Sequence, residues 1–212
     1  MLSIGVLAFQ GDVAEHLEAI RGASEKSRIE IKLRTVRTAE ELAGVQGLLL
    51  PGGESTTLSL LLQKEKMLEP MRNIPGLFGT CAGLILMSKW TEGKVQGQVG
   101  LDVMDVGVSR NAYGAQIDSF ESTLEPASEA ADALDLTGRL KIPFIRAPRI
   151  TKIDASAGVR ILAKLPSSGE PVIVQQKLSG KFYLGASCHP EMKTTKVHEY
   201  FLRELQTALQ VV

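Results

Sequence analysis

The stretch GLFGTCAGLILM, Gly76 to Met87, places a cysteine between two glycines where one apolar run gives way to another. Leu77–Thr80 has the length of a short buried strand, and Ala82 to Trp90 reads as the helix that follows. A buried structural thiol does not need a glycine two residues away on either side. A nucleophile on a strand-to-helix turn does, because small flanking residues let the backbone fold sharply while the side chain projects outward. Cys81 would then sit at a helix N-terminus, whose unpaired N–H groups and dipole favour a thiolate over a thiol. The same N–H groups, that of Ala82 in particular, are placed to donate to an oxyanion. A buried cysteine beside helix-packing glycines shows the same spacing, so the rest of the chain has to decide.

Working outward, the N-terminal half alternates strands and helices. Leu2 to Phe9 is a short apolar run, followed by Asp12 and Glu15 in a near capping-box pattern, then Val13, Leu17 and Ile20 at helical spacing. Ile29 to Val36 alternates like a strand, and Val45 to Leu50 is a buried strand stopped by Pro51-Gly52-Gly53. A helix begins near Ser55 or Thr56 and carries Leu58, Leu61 and Leu62 on one face. These lengths predict an α/β chain built on a doubly wound, flavodoxin-like and mostly parallel sheet with helices on both faces. From about residue 93 to 187 strand-like pieces dominate: Val103 to Val108, Gln116 to Leu124, Pro143 to Ile145, Val172 to Gln176 and Phe182 to Ala186. Glu125 to Gly138 is acidic and Ala-rich, which suits an exposed insertion or a short helix. A last helix from about Thr195 carries Val197, Phe201, Leu205 and Leu209 on one face. With no repeat, low-complexity tract or linker, the 212 residues are expected to form one domain.

Bulk composition excludes several classes. Lys+Arg and Asp+Glu are 24 each, so a zero formal charge gives no support to a nucleic-acid or anionic-membrane surface. No apolar run approaches the roughly 20 residues that span a bilayer. The start, MLSIGVLAFQGDVAEH, lacks a basic region and reads as a first strand rather than a signal peptide. Two cysteines make no disulfide framework, so a reducing, cytoplasmic compartment is the expectation.

A cysteine nucleophile needs a base, and the chain has three histidines. His16 and His198 fall in the first and last helices and read as surface or helix-packing residues. His189 differs: it lies in Cys188-His189-Pro190-Glu191, directly after a short apolar strand. In extended chain, residues two apart share a face, so Glu191 would fix the tautomer and orientation of the imidazole. Cys188 should then face away and serve packing. Pro51-Gly52-Gly53-Glu54-Ser55-Thr56-Thr57 opens a helix but lacks the lysine and spacing of a P-loop. Loops at the carboxyl ends of parallel strands converge on one crevice, so its glycine N–H groups are candidates for a second oxyanion donor. A plain glycine turn with Ser55 as N-cap is the simpler reading of the same segment.

Together, the Pro-Gly-Gly loop, the Gly-x-Cys-x-Gly elbow and His-Pro-Glu resemble the class I (triad) glutamine amidotransferases. Gly5-Val6-Leu7-Ala8-Phe9-Gln10-Gly11-Asp12, Asn111-Ala112-Tyr113-Gly114, Asp118-Ser119-Phe120-Glu121 and Phe144-Ile145-Arg146-Ala147-Pro148 narrow the resemblance to the glutaminase subunits of pyridoxal 5′-phosphate synthases. It implies the class I glutamine amidotransferase fold, with Cys81 as nucleophile, His189 as base and Glu191 as its orienter. It further implies that L-glutamine is held by Gly52, Gly53, Glu54, Arg110 and the backbone around Ile145 and Arg146, with Gly53 and Ala82 forming the oxyanion hole. Gln10 and Gly11 would lie near the oxyanion loop and the partner interface. The partner implied is a separate synthase subunit (PdxS type), on which a weak or silent glutaminase becomes active. That subunit takes ammonia through an internal path and builds pyridoxal phosphate from a pentose phosphate and a triose phosphate. No metal, cofactor, nucleic acid or membrane is implied. Three departures stand out: Ala115 where arginine is common, a longer segment from Glu125 to Leu140, and Cys188 where an aromatic is frequent. Rival readings are the glutaminase of another amidotransferase, such as imidazole glycerol phosphate synthase, a stand-alone cysteine hydrolase, and a non-enzymatic scaffold of the same fold.

Overall fold

The computed structural model describes residues 1–110, 119–127, 134, 136 and 140–210. The expectations placed on Asn111 to Gly114, Ala115 and Asp118, and most of those on the 125–140 segment, lie outside these residues.

The chain begins β1 (Leu2–Leu7), α1 (Val13–Ser27), β2 (Ile31–Val36), β3 (Gly47–Leu50), α2 (Ser55–Lys64), α3 (Leu68–Arg72), β4 (Gly76–Thr80) and α4 (Ala82–Met87). It continues through β5 (Ser88–Glu92), β6 (Met104–Ser109), β7 (Phe120–Ser122), β8 (Glu125–Pro126), β9 (Ile142–Phe144), β10 (Arg149–Ile153), β11 (Val159–Lys164), β12 (Pro171–Leu178) and β13 (Lys181–Ala186). The last helix is α5 (Lys196–Gln210).

Eight strands form the main sheet in the order β2-β1-β3-β4-β13-β12-β11-β8. The pairings from β2 to β13 are parallel, and those from β13 outward are antiparallel. This is the mostly parallel, doubly wound sheet that the strand–helix alternation predicts. Within β3 and β4 the buried side chains alternate between two cores, as the pleat requires. Leu49 and Phe78 pack with Ile20, Val197, Phe201 and Leu205 under α1 and α5. Leu48, Leu50 and Leu77 pack with Leu58, Leu62, Met71 and Leu84 under α2, α3 and α4. Both faces are covered, so these strands read as continuous apolar runs. Leu205 shows how tight the packing is: a Cβ on Gly47 or on Gly76 would approach its methyls to 2.6 Å.

Several elements differ from the sequence expectation. The helix after Cys81 stops at Met87 instead of running to Trp90, because Ser88 is extended and returns its hydroxyl to the Leu84 carbonyl at 2.7 Å. The chain continues as β5, which pairs with β6 in a separate three-stranded sheet, β10-β6-β5, and exposes Trp90 beneath the Lys152 ammonium at 3.6 Å. Strands β10 and β11 and the short helix α3 were not expected at all. Of these, β10 is polar-rich and derives its order from pairing with β6, not from a strong period of its own.

The register positions the chemistry. Leu50 pairs with Gly79, and Thr80 pairs with Ala186, so β3, β4 and β13 end level with one another. The loops after these three strands, and the one after β1, leave the sheet at a single carboxyl-end edge.

Candidate active site

Cys81 occupies the turn between β4 and α4 with φ 47° and ψ −105°, a positive φ that non-glycine residues adopt only under constraint. Its N–H donates to the Ala186 carbonyl at 2.9 Å, extending the β4–β13 ladder by one bond and fixing the turn. The room for so sharp a reversal comes from Gly83: a Cβ there would fall 2.0 Å from the Leu50 carbonyl oxygen. The thiol is nearly buried and points at the Ile145 carbonyl, 3.7 Å away.

His189 reaches Cys81 by a route the sequence did not foretell. Strand β13 ends at Ala186, His189 turns away from extended geometry (φ −113°, ψ 72°), and Pro190 starts a one-turn helix through Met192. Glu191 therefore comes round by a turn and not along a strand face, and its Oε1 still meets His189 Nδ1 at 2.8 Å. The His189 N–H donates to the Pro143 carbonyl at 2.9 Å, so β9 anchors both the imidazole and, through Ile145, the carbonyl that meets the thiol. A second carboxylate shares Nδ1: Asp12 Oδ2 lies 2.9 Å from it. Burial opposes charge on the imidazole, but the interactions with Asp12, Cys81 and Glu191 outweigh it and hold His189 well above its ordinary pKa. The hydrogen bond to His189 lowers the Asp12 pKa, against its partial burial. Burial dominates at Glu191 and raises its pKa despite the neighbouring imidazole.

Beneath the triad lies a polar chain sealed from solvent. Thr80 Oγ1 is 3.5 Å from Glu191 Oε1 and 2.9 Å from His16 Nε2, and His16 Nδ1 is 3.0 Å from His198 Nε2. All three side chains are fully buried, with the Phe78 ring edge-on to both imidazoles. The surface alternative for His16 and His198 is thus ruled out, and their helix-packing role comes with a polar connection to Glu191. Burial pushes His198 down to about 3 and His16 well below the usual imidazole range, so both are neutral in the folded protein. Cys188 packs in the core, and burial pushes its thiol up to about 12.

The Pro-Gly-Gly loop closes the site from the β3 side. A Cβ on Gly52 would lie 2.5 Å from His189 Cε1 and 2.6 Å from Asp12 Oδ2, so only glycine fits between loop and imidazole. Gly53 has φ +138°, and the loop is tied to the end of β1 by Gln10, whose Nε2 donates to the Glu54 carbonyl at 2.8 Å. Glu54, not Ser55, caps α2, its carboxylate accepting from the N–H groups of Thr56 and Thr57. Its two oxygens match the two free N–H groups better than one hydroxyl does. Arg110 pairs with Glu54 at 3.3 Å and donates to Thr56 Oγ1 and Gln98 Oε1.

Two adjoining cavities flank Cys81. One, of about 120 Å³, is lined by Asp12, Gly53, Cys81, Ile145, Arg146 and His189. The other, of about 40 Å³, carries Gly53, Glu54, Ser55, Cys81, Ile85, Arg110 and Arg146. A larger cavity of about 390 Å³ between α1 and the 191–195 turn is lined by Glu191 but by neither Cys81 nor His189. The structure thus brings Cys81, His189, Glu191, Gly52, Gly53, Glu54, Arg110, Ile145 and Arg146 to one place, with Ala82 as the first residue of α4 and Gln10 and Gly11 at the rim. Sequence reasoning missed Asp12, read as a helix cap: it stands at the N-cap of α1 but makes no capping bond and turns to His189 instead. The Gln-Gly-Asp segment carried the signal, since a carboxylate just past a strand end faces the same crevice as the other strand-end loops. Donor atoms of Asp12, His189 and Glu191 lie within 4.8 Å of one another, a spacing a cation would accept, and the hydrogen bonds to His189 already account for it.

The chain is similar to known proteins over nearly its whole length. Residues 6–207 match the family described as SNO glutamine amidotransferase. Pyridoxal 5′-phosphate synthase subunit PdxT of Pyrococcus furiosus is 42% identical over 97% of this chain and 100% of its own length. The protein of that name from Corynebacterium jeikeium is 42% identical over 94% of this chain and 95% of its own. A crystal structure titled as a glutamine amidotransferase superposes with a TM-score of 0.78 at 37% identity, covering 96% of this chain and 98% of the other. With a family match over residues 6–207 and 42% identity along nearly the whole length of a relative, the chain belongs to the SNO glutamine amidotransferase family.

Proposed function

We propose that the chain is the glutaminase subunit of a pyridoxal 5′-phosphate synthase, hydrolysing L-glutamine to L-glutamate and passing the ammonia to a synthase subunit. The observation that carries this reading is the arrangement of Cys81 on its elbow with His189 and Glu191 at its back, in a chain so similar to proteins bearing that name.

The chemistry runs in two halves. The Cys81 thiolate adds to the side-chain amide carbon of glutamine, and the oxyanion is received by N–H groups of Gly53 and Ala82. His189, held protonated by its carboxylates, gives its proton to the departing nitrogen, and ammonia leaves as the glutamyl thioester forms. The now neutral His189 takes a proton from water, whose oxygen attacks the thioester; the C–S bond breaks and glutamate leaves. Acid–base help of this kind is worth ~10²–10⁴-fold, and one oxyanion donor ~10²–10³-fold. Glu54 and Arg110, opposite charges beside the smaller cavity, suit the zwitterionic end of an amino acid, and Ile145 and Arg146 form the facing wall. Gln10 and Gly11, at the rim, belong to the surface that meets the synthase subunit.

Both thiols are free, which suits a reducing cytoplasm, and no helix among the described residues is long and apolar enough to cross a membrane.

The test mixes the purified chain with a pyridoxal phosphate synthase subunit, a pentose phosphate, a triose phosphate and glutamine, and follows pyridoxal phosphate by absorbance. Glutamine-dependent product that is lost in Cys81→Ala and restored by free ammonia is the expected result. Product that forms from ammonia but never from glutamine would refute the assignment.

A further inference from the structure

The two carboxylates on His189 do not do the same work. A neutral imidazole has one N–H, and an imidazolium one N–H at each nitrogen, so Nδ1 can direct a single proton toward Glu191 Oε1 at 2.8 Å and Asp12 Oδ2 at 2.9 Å. Glu191 is sealed, with no side-chain exposure, and its Oε2 is buried without a partner. Charge there is costly, because burial penalises a carboxylate that has so few donors around it. Asp12 is about one-quarter exposed (28%) and lines the open cavity beside Cys81, so solvent supports its charge.

Two further observations show that the fold is arranged around this contact. Asp12 stands at the N-cap of α1, a place where aspartate ordinarily binds the first N–H groups, yet it makes no capping bond. Gly52, on the opposing loop, leaves open the space that the Asp12 carboxylate and the His189 ring edge occupy.

We propose that Asp12 is a positioning residue for the glutaminase reaction: it supplies the ionised carboxylate that keeps His189 protonated against Cys81, while buried Glu191 chiefly orients the ring. The inference rests on the catalytic reading above for its meaning in turnover, but not for the contact itself. Charged and titratable groups face His189 from every element around it: Asp12 ahead of α1, His16 on α1, Cys81 between β4 and α4, Arg146 after β9, Cys188 after β13, and Glu191 on its own turn. Among these, Asp12 is the carboxylate open to the cavity that touches the imidazole. An imidazolium so held keeps the proton needed by the leaving ammonia up to higher pH.

The experiment uses Asp12→Asn in the full chain, with Asp12→Ala as a second variant should the first not fold. Nitrogen NMR of the His189 ring, without substrate or partner, gives its deprotonation midpoint. The pH profile of kcat/KM for glutamate release, with the synthase subunit bound, gives the alkaline limb of the free enzyme. Removing an opposite charge at this range is expected to lower the midpoint by ~1–3 pH units and to move the alkaline limb the same way. A merely structural role would lower activity at all pH values without moving either. A midpoint and limb that coincide with those of the wild type would overturn the proposal. If the wild-type complex releases no glutamate at any pH, the glutaminase reading fails, and the NMR midpoint still decides whether Asp12 holds His189.

Discussion

Cys81 is stored in a backbone conformation that glycine would adopt freely, and the strain is worth about 1–3 kcal/mol. The ladder bond to Ala186 and the packing of α4 hold it there. Both Cys81→Ala and Cys81→Gly are expected to abolish glutamate release, but glycine relieves the strain while alanine keeps it. Set against glycine's greater unfolded-state entropy, Cys81→Gly should still be more stable than Cys81→Ala by about 1 kcal/mol in urea titrations. Equal midpoints for the two variants would mean the turn is unstrained. On the facing loop, Gly52→Ala would drive a methyl into His189 and Asp12, and its predicted effect is a fall in kcat with little loss of fold. A Gly52→Ala complex that turns over at the wild-type rate would show that the loop does not close on the imidazole. The candidate nucleophile, base and orienter were legible because each lies in a short motif, Gly-x-Cys-x-Gly or His-Pro-Glu. Asp12 was not, because nothing in a helix-capping pattern says whether the side chain bends to its own helix or across a crevice.

At the scale of elements, α1 and α5 each contribute a fully buried histidine, and the pair makes stability depend on pH. In the unfolded chain each takes a proton near 6.5, whereas folded His198 does so only near 3. Between these values the unfolded state binds more protons, so stability is full above about pH 6.5 and falls as pH drops toward 3. Each such histidine costs about 1.4 kcal/mol per pH unit in that window. His189 has the opposite sign: its raised pKa contributes stability that is present below 6.5 and is lost as pH rises toward its folded value. Urea unfolding midpoints between pH 7 and 4 should therefore decline, and His198→Gln should flatten the decline. Parallel curves for wild type and variant would contradict the buried neutral pair. Sequence periodicity located both helices, but not which of their polar residues is sealed. His16 and His198 are 182 positions apart, and only the packing of α1 on α5 makes them neighbours.

For the whole molecule, the level ends of β1, β3, β4 and β13 do most to make the site, by delivering Gln10 to Asp12, the Pro-Gly-Gly loop, Cys81 and His189 to one edge. That parallel core was readable from apolar runs buried on both faces. The three-stranded sheet was not, since Ser88–Glu92 and Arg149–Ile153 are largely polar and gain their strand character from pairing with β6. The central claim, that this edge carries out thioester chemistry on glutamine, is tested most directly by trapping the intermediate. The chain is incubated with glutamine and its synthase partner, quenched in acid and mapped by peptide mass spectrometry. A glutamyl group on Cys81, with none on Cys188, is the predicted result. Rapid glutamate release with no adduct on Cys81, or an adduct on Cys188, would contradict it.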